Sequence, residues 1–148
     1  MIHLAEVPTF QIVVAAALIA PDAKILMQKR RAGAAHGGLW EFPGGKVERK
    51  ESPISALVRE LREELSISVS PHSIIPAGFA FEDLVLDRPR LPIAIFLYTC
   101  REWAGEVQCL DAETIGWFES QDIAALPMPP LDVPLAAQLD RLLSAGVI

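Results

Sequence analysis

Two stripes lie side by side on the stretch from Gly45 to Ile67, G-K-V-E-R-K-E-S-P-I-S-A-L-V-R-E-L-R-E-E-L-S-I, and they restrict what this chain can become. Ser52 suits a helix N-cap and Pro53 a first helical residue, a pairing that opens helices. At about 100° per residue, Ile54, Leu57, Val58, Leu61 and Leu65 fall within one arc of about 100°. Glu60, Glu63 and Glu64 occupy a neighbouring arc of about the same width. The pattern predicts a helix of about three turns, buried on one stripe and walled with carboxylates on the next.

The wall requires an explanation, because like charges at i,i+3 and i,i+4 destabilise a helix by a few tenths of a kcal/mol each. Arg59 and Arg62 relieve part of that from the flanks. One explanation is a solvated acidic face. The other is a set of hard oxygen ligands for Mg²⁺, which prefers carboxylates, water and substrate phosphate oxygens. The spacing favours the second. The segment resembles the Nudix box, G-x5-E-x7-R-E-U-x-E-E-x-G-U with U bulky and apolar, and Gly45, Glu51, Arg59, Glu60, Leu61, Glu63, Glu64 and Ile67 fall in register with it. The departure is Ser66, where the pattern has glycine. A glycine past a helix end usually supplies a left-handed cap, which serine adopts at a cost of roughly 1–2 kcal/mol.

The preceding wording, W-E-F-P-G-G-K over 40–46, resembles the MutT-type subgroup of that family. The resemblance implies an α+β fold, an α/β/α sandwich with a mixed central β-sheet. It also implies a Mg²⁺-dependent (or Mn²⁺-dependent) pyrophosphohydrolase that cuts a nucleoside triphosphate such as 8-oxo-dGTP to the monophosphate and pyrophosphate. In these terms Glu60, Glu63, Glu64 and the Gly45 carbonyl are metal ligands, and Glu60 is the candidate general base. Arg59 orients a neighbouring glutamate and Glu51 supports from behind. Lys46 faces the substrate. Asp111, six positions before Trp117, adds a carboxylate to the metal cluster, with Glu113 as the alternative donor.

The remaining chain is consistent with one domain over residues 1–148. Hydrophobic content of 51% with 22% charged residues indicates a folded chain. A net charge of −6 without a basic run argues against a nucleic-acid polymer as partner and for a small nucleotide. The apolar run 12–20 is too short to span a membrane. Glu6, with no Lys or Arg before the run, does not make a signal peptide. Cys100 and Cys109 read as free thiols of a cytoplasmic protein. Monomer and homodimer both remain open.

The apolar run reads as a strand that turns at Pro21–Lys24 into a second strand, Ile25–Lys29, to make a hairpin. Arg30, at that strand's end, is either ordinary surface charge or a phosphate contact. His36, in the loop that follows, is surface polarity or a substrate contact. Trp40 to Phe42 is expected to run as a short strand into the box. Strands are expected over Ser73–Phe81, Leu91–Cys100 and Glu113–Phe118, with residues 82–90 as a loop on the rim of the site. Phe79 and Phe81 share one strand face, for core packing in preference to base stacking.

A final helix follows P-M-P-P-L-D-V-P, with Leu135, Leu139, Leu142 and Leu143 on one face. Asp132 precedes it, as N-cap, as base reader, or as both. MutT relatives place Asn or Asp there to read the base edge. Ionised aspartate only accepts hydrogen bonds, which suits a cytosine-type amine as well as a purine. Open alternatives are therefore a CTP-type or ADP-ribose-type substrate, or a non-catalytic nucleotide sensor, against which the intact glutamates argue.

Overall fold

The computed structural model describes residues 9–84 and 89–148. A mixed four-stranded sheet carries the core, with strand order β4-β1-β6-β5. It comprises β1 (Gln11–Leu18), β4 (Gly44–Lys46), β5 (Ile74–Phe81) and β6 (Ile93–Cys100). β1 runs parallel to β6 and antiparallel to β4, and β5 is the antiparallel edge. Alternation along β1 sorts its side chains into two layers. Val14, Ala16 and Leu18 pack under helix α1 (Pro53–Leu65) against Leu57, Leu61 and Leu65. Ala15, Ala17 and Ile19 face helix α3 (Asp132–Ser144) and its Leu135, Ala136 and Leu139. This is the expected α/β/α sandwich with a mixed central sheet. A second, antiparallel sheet lies beside it in the order β3-β2-β7, with β2 (Ile25–Lys29), β3 (Trp40–Glu41) and β7 (Thr114–Phe118). A short helix α2 (Ser120–Ile123), which the sequence pattern did not reveal, leads on toward α3.

Helix α1 begins and ends as its sequence dictates. The Ser52 hydroxyl accepts from the Ser55 N–H, Ser55 returns a bond from the Ser52 N–H, and Pro53 opens the helix. At the other end Ser66 sits left-handed at φ 60 and ψ 30, its N–H donating to the Arg62 carbonyl. Serine therefore takes the conformation for which the family pattern keeps glycine.

Four expectations need correction. The chain does turn at 21–24, but β1 and β2 form no hairpin: they lie in different sheets, joined by a single bridge between Ile19 and Ile25. β1 is buried on both faces and takes β4 and β6 as neighbours, which leaves no edge for β2. Secondly, the strand expected to run from Trp40 into the box is broken at Phe42-Pro43. β3 pairs with β2 and β4 with β1, and Gly44, at φ 155, crosses so close to the Val14 carbonyl that a Cβ would collide with it. Thirdly, Phe79 and Phe81 are 59% and 53% exposed, so they are not core. They stack on each other at 6.1 Å, with Phe10 edge-on to Phe81. Helix α1 packs on β1 and β4, and α3 packs on the edge strand β5. Fourthly, Asp132 is not an N-cap. Leu131 holds that position, and the buried Asp132 side chain turns away from its own helix.

Among the described residues no helix is long and apolar enough to cross a membrane. Cys100 is buried, Cys109 is exposed, and both are free.

Candidate functional site

A cavity of about 720 Å³ opens between the two sheets, helix α1 and the start of α3. Gln28 and Arg30 enter from β2 and its end, Glu41 from β3, and Gly44, Gly45 and Lys46 from β4. Glu64 reaches it from α1, Asp111 from the loop before β7, and Asp132 from the first turn of α3. The expected rim loop is present in part. Glu82 and Arg90 line the opening, with two Arg90–Glu82 hydrogen bonds of 2.8 and 3.0 Å, while residues 85–88 lie outside the described residues.

Arg59 organises the acidic stripe from behind. Its Nε and Nη2 donate to Glu51 at 2.7 and 2.9 Å, and Nη2 also reaches the Lys46 carbonyl at 3.1 Å. Its Nη1 donates to Glu60 at 2.9 Å and Glu63 at 3.3 Å. One guanidinium thus fastens the 46–51 loop to the helix and aims two of its glutamates. The Arg59 hydrogen bonds, then the Glu48 N–H, hold Glu51 below the usual carboxylate range, and Glu51 in turn raises the affinity of Arg59 for its proton. Arg59 does not enter the cavity wall.

Of the three glutamates of the acidic stripe, Glu64 is the most enclosed. Its Oε2 accepts from the Gly44 N–H at 3.0 Å and the Gln28 amide at 3.4 Å. Burial is the main cause that pushes its pKa up to about 8, followed by the Glu60 charge. The Gly44 N–H opposes this, and Glu41 and Asp111 add to it. Glu60 is raised as well, first by burial, with Arg59 opposing. Glu63 points outward, its side chain 58% exposed.

These residues fit a divalent cation. Hard oxygen donors crowd together and raise one another's proton affinity, which is the setting a cation relieves. A Cβ on Gly45 would fall on the Glu60 carboxylate, so glycine lets that backbone approach the acidic face without displacing Glu60. Among the described residues no three His, Cys, Asp or Glu side chains form a ready-made cage. That is no obstacle for Mg²⁺, which usually keeps several waters and takes phosphate oxygens. Of the two acidic alternatives before β7, Asp111 lines the cavity. Glu113 instead pairs with Lys29 at 3.6 Å.

At the other end of the cavity, the Asp132 Oδ2 accepts from the Phe42 N–H at 3.2 Å. Burial pushes this carboxyl up to about 7, with the Phe42 N–H opposing, Glu41 adding and Arg30 opposing. Arg30 lines the cavity, but its guanidinium is engaged. Nη1 bonds both Glu41 oxygens at 2.9 and 3.1 Å, and Nε donates to the Ala35 carbonyl at 2.6 Å. His36 lies in the same wall at φ 56.

Sequence reasoning missed Glu41 and Gln28. The available signals were the W-E-F alternation, which turns Glu41 away from apolar Trp40 and Phe42, and a lone amide in the apolar strand I-L-M-Q.

The sequence profile of the NUDIX domain matches residues 9–139. The chain belongs to the Nudix family. Over 82% of its length it is 36% identical to the CTP pyrophosphohydrolase of Escherichia coli K12, covering 86% of that protein. Over 80% it is 33% identical to the 8-oxo-dGTP diphosphatase of the same organism, covering 88% of it. Its fold superposes on the solution structure of the E. coli ORF135 protein with a TM-score of 0.75 at 30% identity, covering 92% of this chain and 94% of that one. This chain is a Nudix hydrolase, a pyrophosphohydrolase with MutT-like relatives.

Proposed function

We propose that this Nudix hydrolase is a Mg²⁺-dependent nucleoside triphosphate pyrophosphohydrolase of MutT type, acting in the cytoplasm on (oxidised) nucleotides such as 8-oxo-dGTP. The observation that carries this reading is one cavity with two chemically different ends. Glu64, Gly45 and Asp111 stand at one, and the buried carboxyl of Asp132 at the other. A triphosphate binds with its phosphates at the first end and its base at the second.

Glu60, Glu63, Glu64, the Gly45 carbonyl and Asp111 would hold the cation, with Mn²⁺ as a substitute for Mg²⁺. When bound, the cation offsets phosphate charge and lowers the pKa of a water. Arg59, braced by Glu51, keeps Glu60 and Glu63 oriented. Glu60 takes the water's proton as general base. Lys46, on the exposed lip of β4, supplies positive charge to the phosphates. Arg30 supplies less than its charge suggests, because Glu41 already holds it.

Asp132 supports a second reading of the substrate, a CTP-type base. Its ionised form accepts from an exocyclic amine, whereas its protonated form both donates and accepts, as an asparagine would. The test is product analysis with 8-oxo-dGTP, dGTP and CTP. Pyrophosphate and a monophosphate from one of them support the proposal. Release of single phosphates, or no turnover of any of the three, removes it.

A further inference from the structure

Arg59 orients two glutamates of the acidic stripe, Glu60 and Glu63, and the third depends on other groups. Among the described residues the Glu64 side chain takes two hydrogen bonds, from the Gly44 N–H at 3.0 Å and the Gln28 amide at 3.4 Å. Both end on Oε2, which leaves Oε1 with no protein donor among those residues. The two donors stand on β4 and β2, which belong to different sheets. Glu64 is therefore seated where the sheets meet, by one backbone group and one side chain.

That side chain is out of keeping with its strand. Leu26, two residues earlier and so on the same strand face, packs in the apolar layer under α1. An apolar residue at position 28 would continue this layer. The chain instead buries an amide there, 4% exposed, whose Oε1 has no partner among the described residues. A buried acceptor without a partner costs free energy that an apolar side chain of similar shape avoids. Packing alone does not account for Gln28, whereas its donor does. Nε2 is the end turned toward Glu64, and a reversed amide would set oxygen against an ionised carboxylate.

We propose that Gln28 is a positioning residue for Glu64: its amide holds Oε2 where the sheets meet, so that Oε1 is presented to the cation. This inference rests on the cation site of the nucleotide reading given above. A group that hydrogen-bonds a metal ligand from behind contributes about ten- to a hundredfold in metal affinity. The length of this contact, 3.4 Å, places the expected effect at the lower end.

The test measures Mn²⁺ binding to the substrate-free protein at one fixed pH, from the EPR signal of the free ion. Gln28→Met keeps the length of the side chain and removes both the donor and the orphaned acceptor. It is expected to weaken Mn²⁺ binding about tenfold, with its melt in EDTA not lowered. Gln28→Asn draws the amide back by one methylene and should weaken binding by an intermediate factor; it serves if the methionine variant fails to fold. Pyrophosphate release should show the matching split in Gln28→Met: half-saturating Mg²⁺ rises about tenfold, while the rate at saturating Mg²⁺ returns to within about threefold of wild type. Mn²⁺ affinity within about twofold of wild type overturns the inference, whether or not the melt has fallen. So does a lowered rate at saturating Mg²⁺ with unchanged half-saturation. Wild type that binds no Mn²⁺ removes the cation-site reading beneath it as well, a distinguishable result.

Discussion

Replacing Asp132 by asparagine leaves the size and the Phe42 contact in place and removes the ability to ionise. The carboxyl is buried, with 6% of its residue surface exposed, and its pKa lies at about 7 in place of 3.8. At about 1.36 kcal/mol for each pKa unit, ionising it inside the fold costs about 4 kcal/mol. Well below pH 3.8, folded and unfolded chains are both protonated and nothing is lost. As pH rises toward 7 the unfolded chain ionises first, so stability falls, and above about pH 7 the full cost applies. Glu41 and Arg30, the charged groups that act on Asp132, are present in both proteins. Urea unfolding of wild type and Asp132→Asn in EDTA should therefore show a gap in favour of asparagine that widens from pH 4.5 to pH 8 by about 3 kcal/mol. The same titration should govern choice of base. The wild-type ratio of kcat/KM for 8-oxo-dGTP over CTP should fall as pH rises through about 7, when the donor is lost. In Asp132→Asn the ratio should stay flat and at least tenfold, roughly 1.4 kcal/mol, further toward the purine at pH 8. A stability gap and a substrate ratio that both ignore pH would refute the reasoning.

The acidic stripe and its cap yield further expectations. Glu63→Gln and Glu64→Gln should each lower kcat by at least about a hundredfold with the fold intact, since each 1.36 kcal/mol of lost stabilisation is tenfold in rate. In EDTA at pH 8.5, Glu64→Gln should melt higher than wild type, because it removes a carboxylate whose pKa burial raises to about 8; circular dichroism melts check this. Glu63→Gln should change the melt little, as that side chain is 58% exposed. Ser66→Gly should stabilise by up to about 1–2 kcal/mol, because residue 66 is left-handed; a loss of stability in urea unfolding would contradict it.

How much of this was legible in the sequence depends on how local the cause was. Helix α1 was legible because cap, proline, apolar stripe and carboxylate stripe all lie within one segment. Its orienting arginine was legible through the family pattern. The apolar run 12–20 was visible as a strand, but a run apolar on both faces does not say which neighbours bury it, so the hairpin with β2 was a false inference. Alternation put Phe79 and Phe81 on one face. It could not show that this face of the edge strand stays exposed. Asp132 was visible as a candidate, but its burial depends on Phe42, 90 positions away. Glu41 was hidden for the same reason: a two-residue strand carries little pattern, and its meaning comes from Arg30, Glu64 and Asp132 around it. Helix α2, four residues with no side-chain cap, leaves no periodic trace.

The most direct measurement of the central claim, that the box carboxylates serve metal-dependent cleavage of a nucleoside triphosphate, is pyrophosphate release from 8-oxo-dGTP and CTP through a cycle of chelation and add-back. Activity should vanish in excess EDTA and return with Mg²⁺ or Mn²⁺ in wild type, while Glu64→Gln should stay at least about a hundredfold below it at saturating metal. Full turnover in EDTA, or a wild-type rate from Glu64→Gln, would contradict it.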